Sequence, residues 1–352
     1  MTSQEGRLRV VASTPISEEL IERVIALEPR IDFVRRQELL APMRFPGDHA
    51  GDPAFTRTAE QQAEFDALVD TAEVLYGVPD EKPAALSRTV AANPNLRWVH
   101  TTPAGGGAQV KGARLDDEAL QRIVFSQSGG VHAEPLAEFA LLGVLAGLKH
   151  LPVLIAAKAE HRWADRRTTG VIADQTVVVV GLGGIGRAVA QKFSVLGARV
   201  IGVHRREVEA PGVERIVPVE ELADVAKEAT VIVMTLPGTA STEKMLSADV
   251  LANVRPGTIV VNVGRGTTID EPALIDALRD GRVGFAALDV FAVEPLPEDS
   301  PLWSLPNVLV SPHAAALHPN EDRLIAELFA ENATRLLDGR ELINRVNTVE
   351  FY

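Results

Sequence analysis

The sequence predicts an α/β fold of two domains, and three observations carry that expectation. Strand-like and helix-like stretches alternate along most of the 352 residues. In the second half the strand-like stretches are near-continuous runs of Val, Ile and Ala, as in TVVVV at 176–180, which suits parallel strands covered on both faces. A glycine-rich turn, GLGGIG at 181–186, joins that strand to a helix. A chain of this length is too long for one ordinary core and fits two domains of common size.

Taken in order, residues 8–13 read as a strand and 17–27 as a helix, capped by Ser17, with Glu18 and Glu19 in its first turn. Residues 31–35, 73–76 and 97–101 are further strands. The spacing of Phe65, Leu68 and Val69 predicts a helix over 61–72. Residues 41–58 carry Pro42, Pro46, Gly47, Gly51 and Pro53, too many breakers for either regular element. Met43, Arg44, Phe45 and His49 of this loop are candidates for a lid over a cleft; a mobile surface loop is the competing expectation. From 134 to about 158 runs an apolar helical stretch that Pro152 is expected to break. Then 176–180, 199–203, 230–235, 258–263 and 284–290 read as buried strands, with a short strand at 308–310. The apolar positions Leu324, Ile325, Leu328, Phe329, Leu336 and Leu337 define a closing helix over 321–337.

Composition removes several classes of function. With 35 basic and 48 acidic residues the net charge is −13, which argues against nucleic acid or an anionic membrane as partner. Cysteine is absent, so disulfides, iron–sulfur clusters, thiolate zinc and a cysteine nucleophile are excluded, and no metal site is expected. The longest apolar run, 139–148, is about half a bilayer span. No targeting segment opens the chain, so a cytoplasmic protein is expected.

The turn at 181–186 has specific mechanics. Gly181 permits the tight turn, Gly183 lets backbone approach a pyrophosphate, and Gly186 lets helix and strand pack closely. Gly184 and Ile185 complete this turn, which opens a helix over 187–196 whose N–H groups and dipole favour phosphate. The next strand ends in His204-Arg205-Arg206, where an NAD site would carry an acid for the ribose 2′-OH. Two guanidinium groups there suit a 2′-phosphate, favouring NADP(H); Glu207 keeps NAD(H) open.

Three motifs end the later strands, where open α/β sheets place their ligands. Arg265, between Gly264 and Gly266, presents a fork suited to a carboxylate or ketone oxygen. Glu294 precedes His313 by 19 residues and can meet it across a cleft, fixing the tautomer of a general acid. Asp289 is placed to accept from a nicotinamide carboxamide.

These pieces resemble the D-isomer-specific 2-hydroxyacid dehydrogenases. The resemblance rests on VVGLGGIGRAVA at 179–190, TLPGTAST at 235–242, NVGRGTTID at 262–270, ALDVFAVEPLP at 287–297 and LPNVLVSPHAAA at 305–316. Weaker matches are LRWVHTTPAGG at 96–106 and GVHAEPLAEFAL at 130–141. It implies a Rossmann-type doubly wound parallel sheet domain, 127–313, inserted into a smaller flavodoxin-like α/β domain of 1–126 and 314–352. It also implies a homodimer formed through the nucleotide-binding domain, with the helix near 134–148 as hinge and dimer element. In that pattern Arg265 binds the 2-oxo carboxylate and ketone, His313 protonates the carbonyl oxygen and Glu294 supports His313. Backbone amides of Ala104, Gly105 and Gly106 meet the substrate carboxylate, and Tyr76 helps to shape the pocket. Leu236 and Pro237 lie along the adenine, with Thr242 and Val263 also at the cofactor. Gly106-Gly107 departs from the bulkier residue and acid often found there, and the 41–58 loop is longer than the family pattern.

The activity expected is reduction of a small 2-oxo acid to the D-2-hydroxy acid, with glyoxylate or hydroxypyruvate as type substrates. Three alternatives stand beside it: a dinucleotide-sensing, corepressor-like binding protein, formate dehydrogenase chemistry, and a phosphoglycerate dehydrogenase-type activity. The last is disfavoured because no regulatory extension is expected after residue 352.

Overall fold

The expected alternation builds two parallel sheets, one in each of two units of the chain. The computed structural model describes residues 6–351. One unit comprises Met1–His132 with Leu317–Tyr352, the other Ala133–Ala316.

The first unit runs β1 (Leu8–Ala12), α1 (Glu18–Leu27), β2 (Ile31–Val34), α2 (Ala59–Val69), β3 (Val74–Tyr76), α3 (Pro83–Ala92), β4 (Trp98–Thr101), α4 (Gly107–Gly112), α5 (Asp117–Arg122) and β5 (Val124–Gln127). Its strands are parallel in the order β2-β1-β3-β4-β5, a flavodoxin-like arrangement that reverses direction between β1 and β3. Ser17 caps α1 by accepting from the Leu20 N–H, as its side-chain chemistry dictates. The strand β5 and helices α3, α4 and α5 lie outside the sequence expectation; α4 and α5 have only 6 residues each, and β5 lacks the alternation that marks a strand.

The second unit contains α6 (Ala133–Leu148), α7 (Leu151–Ala159), β6 (Thr176–Val180), α8 (Gly184–Val195), β7 (Arg199–Val203), β8 (Arg215–Val217), α9 (Leu222–Ala226), β9 (Val231–Met234), α10 (Ala248–Asn253), β10 (Thr258–Asn262), α11 (Glu271–Arg279), β11 (Val283–Leu288) and β12 (Val308–Val310). Its sheet has the order β12-β11-β10-β9-β6-β7-β8, the doubly wound Rossmann-type pattern with a seventh strand added. The helix break falls at Lys149-His150, with His150 at φ 53°, and α6 and α7 meet at 67°. Pro152 sits in the first turn of α7, where its missing N–H breaks no helical bond, so it starts the second helix and does not kink the first. Among the described residues no single helix is long and apolar enough to cross a membrane.

The chain then returns to the first unit as α12 (Glu321–Leu337). Phe329 of α12 stacks on Trp98 with centroids 4.7 Å apart and meets Tyr76 edge-on at 5.1 Å. This corrects the expectation for Tyr76. Its ring is 1% exposed within an aromatic cluster with Phe33, His100 and Phe329, so it fills the core and does not wall a pocket. The units divide at 132/133 and 316/317, later than the expected 126/127 and 313/314. The reason is bonding: Ser128 reaches His100 and His132 reaches Glu321, which keeps residues 127–132 in the first unit.

The 41–58 segment has no helix or strand, as its breakers require, but it is built onto its own unit. Arg44 pairs with buried Asp48 at 2.7 Å, and the Gly47 N–H donates to Asp322 at 3.2 Å. His49 is largely buried beside Asp322, and burial lowers its imidazole below the usual range. Of the lid candidates, Phe45 remains exposed, under the Arg44 guanidinium.

Glu28 fixes the far end of α1. It is 3% exposed and accepts from Arg30 at 2.7 and 2.8 Å and from the Thr334 hydroxyl of α12 at 2.7 Å. The Arg30 side chain is the main cause that lowers the Glu28 carboxyl to about 2. A depressed carboxylate contributes stability above its unfolded value, and that contribution disappears as pH falls through the folded one. Acid unfolding should therefore gain a component between the ordinary glutamate value of 4.5 and about 2. Glu28→Gln should cost about 1–3 kcal/mol at neutral pH and flatten the acid limb. Urea unfolding at neutral pH and again within that acid window measures both.

Candidate active site

Parallel pairing puts the ends of all seven strands of the second unit on one edge. Val203, Val180, Met234, Asn262, Leu288 and Val310 are successive register partners across the sheet, so the loops leaving these strands start from one line. Neighbouring strands lie roughly 4.8 Å apart, which brings the segments after β10, β11 and β12 within side-chain reach. Arg265, Glu294 and His313 come from those three segments.

The geometry of the three is specific. His313 Nδ1 donates to Glu294 Oε2 at 2.7 Å, which leaves Nε2 as the outward nitrogen. The other Glu294 oxygen accepts the Phe291 N–H at 3.0 Å, so the carboxylate cannot swing away. His313 itself is held at φ 54°, with its N–H donating to the Asp289 carbonyl at 2.9 Å. Arg265 is half-buried, and Nη1 donates to the Gly264 carbonyl at 2.7 Å. Burial pulls its guanidinium below the ordinary arginine range, while the Glu294 and Asp289 carboxylates act the other way. The result is a poorly hydrated cation beside an imidazole–carboxylate pair.

On the other side of the switch between β6 and β9 lies the glycine turn. Gly181 has φ 96°, and a Cβ on Gly186 would sit 1.8 Å from the Gly181 carbonyl oxygen, so both positions demand glycine. A Cβ on Gly183 would meet nothing within 4 Å, so its missing side chain opens space for a group outside the protein. Gly183 caps α8, Gly184 begins it, and half-buried Ile185 comes next in its first turn. At the end of β7, a cavity of ≈ 570 Å³ is lined by His204, Arg205, Arg206 and residues through Pro218.

The family description "D-isomer specific 2-hydroxyacid dehydrogenase, NAD binding domain" matches residues 141–315. A glyoxylate reductase from Korarchaeum cryptofilum is 33% identical over 241 residues, 65% of this chain and 71% of that protein. The chain belongs to the D-isomer specific 2-hydroxyacid dehydrogenase family. A solved member from Xanthobacter autotrophicus Py2, in complex with NADPH and MES, is 30% identical, with a TM-score of 0.75 over 99% of both chains. A D-3-phosphoglycerate dehydrogenase from Mycobacterium tuberculosis is 33% identical over 74% of this chain. The match covers 49% of that enzyme, so the chain spans about half the length of the D-3-phosphoglycerate dehydrogenases it matches.

In a member of this family the open cradle at Gly183 and the α8 amino terminus fit a dinucleotide pyrophosphate. Other residues expected at the cofactor are already engaged within the protein. Thr242 uses its hydroxyl inside its own loop, donating to the Pro237 carbonyl at 2.6 Å and accepting from the Thr239 N–H at 2.9 Å. That makes it a brace for the Leu236–Pro237 segment, in which Pro237 is exposed and Leu236 is half-buried against Gly181. Val263 is 3% exposed in the core, because its N–H continues the pairing to Met234. Asp289 Oδ1 accepts from the Ser311 hydroxyl at 2.6 Å and from the Ala314 and Ala315 N–H groups at 2.9 and 3.0 Å. Its first task is thus to build the loop carrying His313, before any contact with a carboxamide. His204 Nδ1 accepts the Leu182 N–H at 3.3 Å and so steadies the glycine turn. Burial lowers its imidazole, with the cations of Arg205, Arg187 and Arg206 adding to that, so the positive charge here is arginine's.

Ala104, Gly105 and Gly106 form the turn after β4 in the first unit, whereas Arg265, Glu294 and His313 belong to the second. Among the described residues the Ala104 and Gly105 N–H groups donate to no acceptor. Gly106 packs so tightly on Thr101 that a Cβ would lie 1.7 Å from its hydroxyl oxygen. Sequence reasoning missed Asn262 and Ser311. Asn262 accepts the Gly264 N–H and donates to the Arg265 carbonyl, both at 3.0 Å, which sets the loop that presents Arg265. Their signal was position: each stands at a strand end beside a catalytic loop.

Two glycine variants separate fold from ligand. Gly186→Ala should lower the Tm, because backbone must move. Gly183→Ala should leave the Tm unchanged and weaken binding of NADPH or NADH at least tenfold, because it fills the cradle alone. Thermal unfolding and fluorescence titration read the two effects, and unaltered binding in Gly183→Ala would remove the cradle assignment.

Proposed function

We propose that this chain reduces a small 2-oxo acid to the D-2-hydroxy acid, and runs the reverse reaction. The observation that carries the reading is the 2.7 Å His313–Glu294 bond on the same sheet edge as Arg265 and the glycine turn. When bound, a nicotinamide dinucleotide would supply hydride chemistry to the site. Residues Gly181, Gly183 and Gly186 would hold its pyrophosphate. The Arg265 fork grips the carboxylate and polarises the ketone oxygen, and its scarce hydration strengthens that attraction. His313 Nε2 hands a proton to the oxygen as negative charge develops there. Glu294 keeps the ring turned the right way and stabilises the imidazolium between turnovers. In oxidation of the hydroxy acid the same imidazole takes the proton back. The backbone N–H groups of Ala104 and Gly105 in the first unit, unclaimed among the described residues, are donors suited to a carboxylate.

Arg205 and Arg206 line the cavity after β7, where no carboxylate precedes Glu207. That chemistry supports NADPH in preference to NADH, because a ribose 2′-phosphate needs cations and a bare 2′-OH needs an acceptor. Relatives include a glyoxylate reductase, so glyoxylate, hydroxypyruvate and phenylpyruvate form the natural panel. In an absorbance assay of dinucleotide oxidation, wild-type turnover should be faster with NADPH than with NADH. His313→Ala should lose about 10²–10⁴-fold in kcat with dinucleotide affinity unchanged. Undiminished kcat in that variant would overturn the mechanism.

The second unit also exposes Leu142, Leu151, Leu154, Ile155 and Trp163, the last 96% exposed, along α6, α7 and the segment beyond them. An apolar stripe of this kind calls for cover, which supports a homodimer through this unit. Light scattering should give twice the monomer mass, and Ile155→Asp should halve it; a monomeric wild type would end this reading.

A further inference from the structure

The loops after β3 and β4 leave neighbouring strands at one edge of the first sheet, close to the point where the strand order reverses. The loop after β4 is the Ala104–Gly106 turn. The loop after β3 is unusual in its backbone: Asp80 and Glu81 are consecutive non-glycine residues at φ 54° and 55°. Such conformations persist only where surrounding contacts over-determine them. Here each residue is tied by its carboxylate. Asp80 pairs with Arg57 at 2.8 Å, and Arg57 is itself anchored to the Leu39 carbonyl at 2.6 Å. Glu81 reaches the neighbouring loop. Its Oε1 accepts the Thr102 hydroxyl at 3.2 Å, and its Oε2 accepts Gln109 Nε2 at 2.6 Å. Thr102 lies two residues before Ala104, and Gln109 lies three residues after Gly106.

We propose that Glu81 is a positioning residue for the 2-oxo acid: one carboxylate spans the entry and exit of the Ala104–Gly106 turn and holds the Ala104 and Gly105 N–H groups in place for the substrate carboxylate. This role rests on the 2-oxo acid as substrate and adds a residue that touches neither substrate nor cofactor. The surroundings fit a fixed carboxylate. Thr102 is buried, and Glu81 is enclosed enough that burial pushes its carboxyl above the usual range, against the opposing hydrogen bonds from Gln109 and Thr102. The Gln109 Oε1 is buried with no partner among the described residues, so the Gln109 amide is oriented through its bond to Glu81. That orphan oxygen makes a specific consequence testable. If residue 81 becomes an amide, the Gln109 amide can turn over and accept from it, restoring the tie without the charge.

Steady-state kinetics of the intact chain with glyoxylate and hydroxypyruvate, each against NADPH, provide the test. Glu81→Ala should raise the KM for the 2-oxo acid about tenfold, with kcat at saturation and the KM for NADPH within about twofold of wild type. Glu81→Gln should recover most of that KM, and Gln109→Ala should reproduce the defect more weakly. Thermal unfolding accompanies each variant, and if Glu81→Ala does not fold, Gln109→Ala and Glu81→Gln carry the comparison. An unchanged acid KM in the folded variants, or an equal loss on the NADPH side, overturns the role of Glu81. A wild-type chain that turns over neither acid overturns the substrate reading itself, a separate and visible failure.

Discussion

Parallel strands that come into one register at their carboxyl ends are the constraint on which the chemistry depends. From Val203 to Val310 the last paired residues of six strands form one row, and Arg265, Glu294, His313 and the glycine turn all begin just beyond it. A slip of one residue in β11 would reverse which side chains face each sheet surface and displace Glu294 relative to His313. The near-continuous Val, Ile and Ala composition of these strands therefore serves the site as much as the core. Strands β6, β9 and β10 are buried along nearly their whole length, which leaves their register little freedom.

Beyond that row the loops are fixed by few atoms with many bonds. One Asp289 oxygen gathers three donors, and the same residue's carbonyl holds the His313 N–H. Asn262 does the equivalent for Arg265, and the Phe291 N–H does it for Glu294. The positive φ of His313 is a strained choice for a non-glycine residue, and it survives because Asp289 bonds on both sides of it. Catalytic orientation here is a property of the supporting loops.

Residue pattern made much of this legible in the sequence. Buried parallel strands leave continuous apolar runs, the glycine turn has a fixed spacing, and Ser17 and the closing helix at 321–337 announce themselves through capping and periodicity. Tyr76 misled because its position, at a strand end before a glycine, does not reveal that Phe329 from the other end of the chain covers it. Thr242 shows the converse: its hydroxyl looks available in the sequence, whereas in the structure its own loop uses it. The His100 imidazole, wedged between Ser126 and Ser128 and lowered to about 3 by burial, was equally silent, since no local pattern marks a contact made 26 residues away. What the sequence conceals is mostly long-range satisfaction of polar groups.

That satisfaction differs between the two units. Among the described residues, every buried side-chain atom without a hydrogen-bond partner belongs to the first unit: both His49 nitrogens, Gln109 Oε1, Gln127 Oε1, His318 Nε2 and Glu321 Oε2. Each such group is costly to bury, on the order of 1–3 kcal/mol, so their concentration is a structural preference. The second unit, which carries Arg265, Glu294 and His313, has no such atom among its described residues. The first unit, which carries the Ala104–Gly106 turn, keeps polar atoms in reserve around Gln109 and around Glu321. A buried donor or acceptor without a partner is a place where hydrogen bonds can be redistributed, and among the described residues such places lie in the first unit alone.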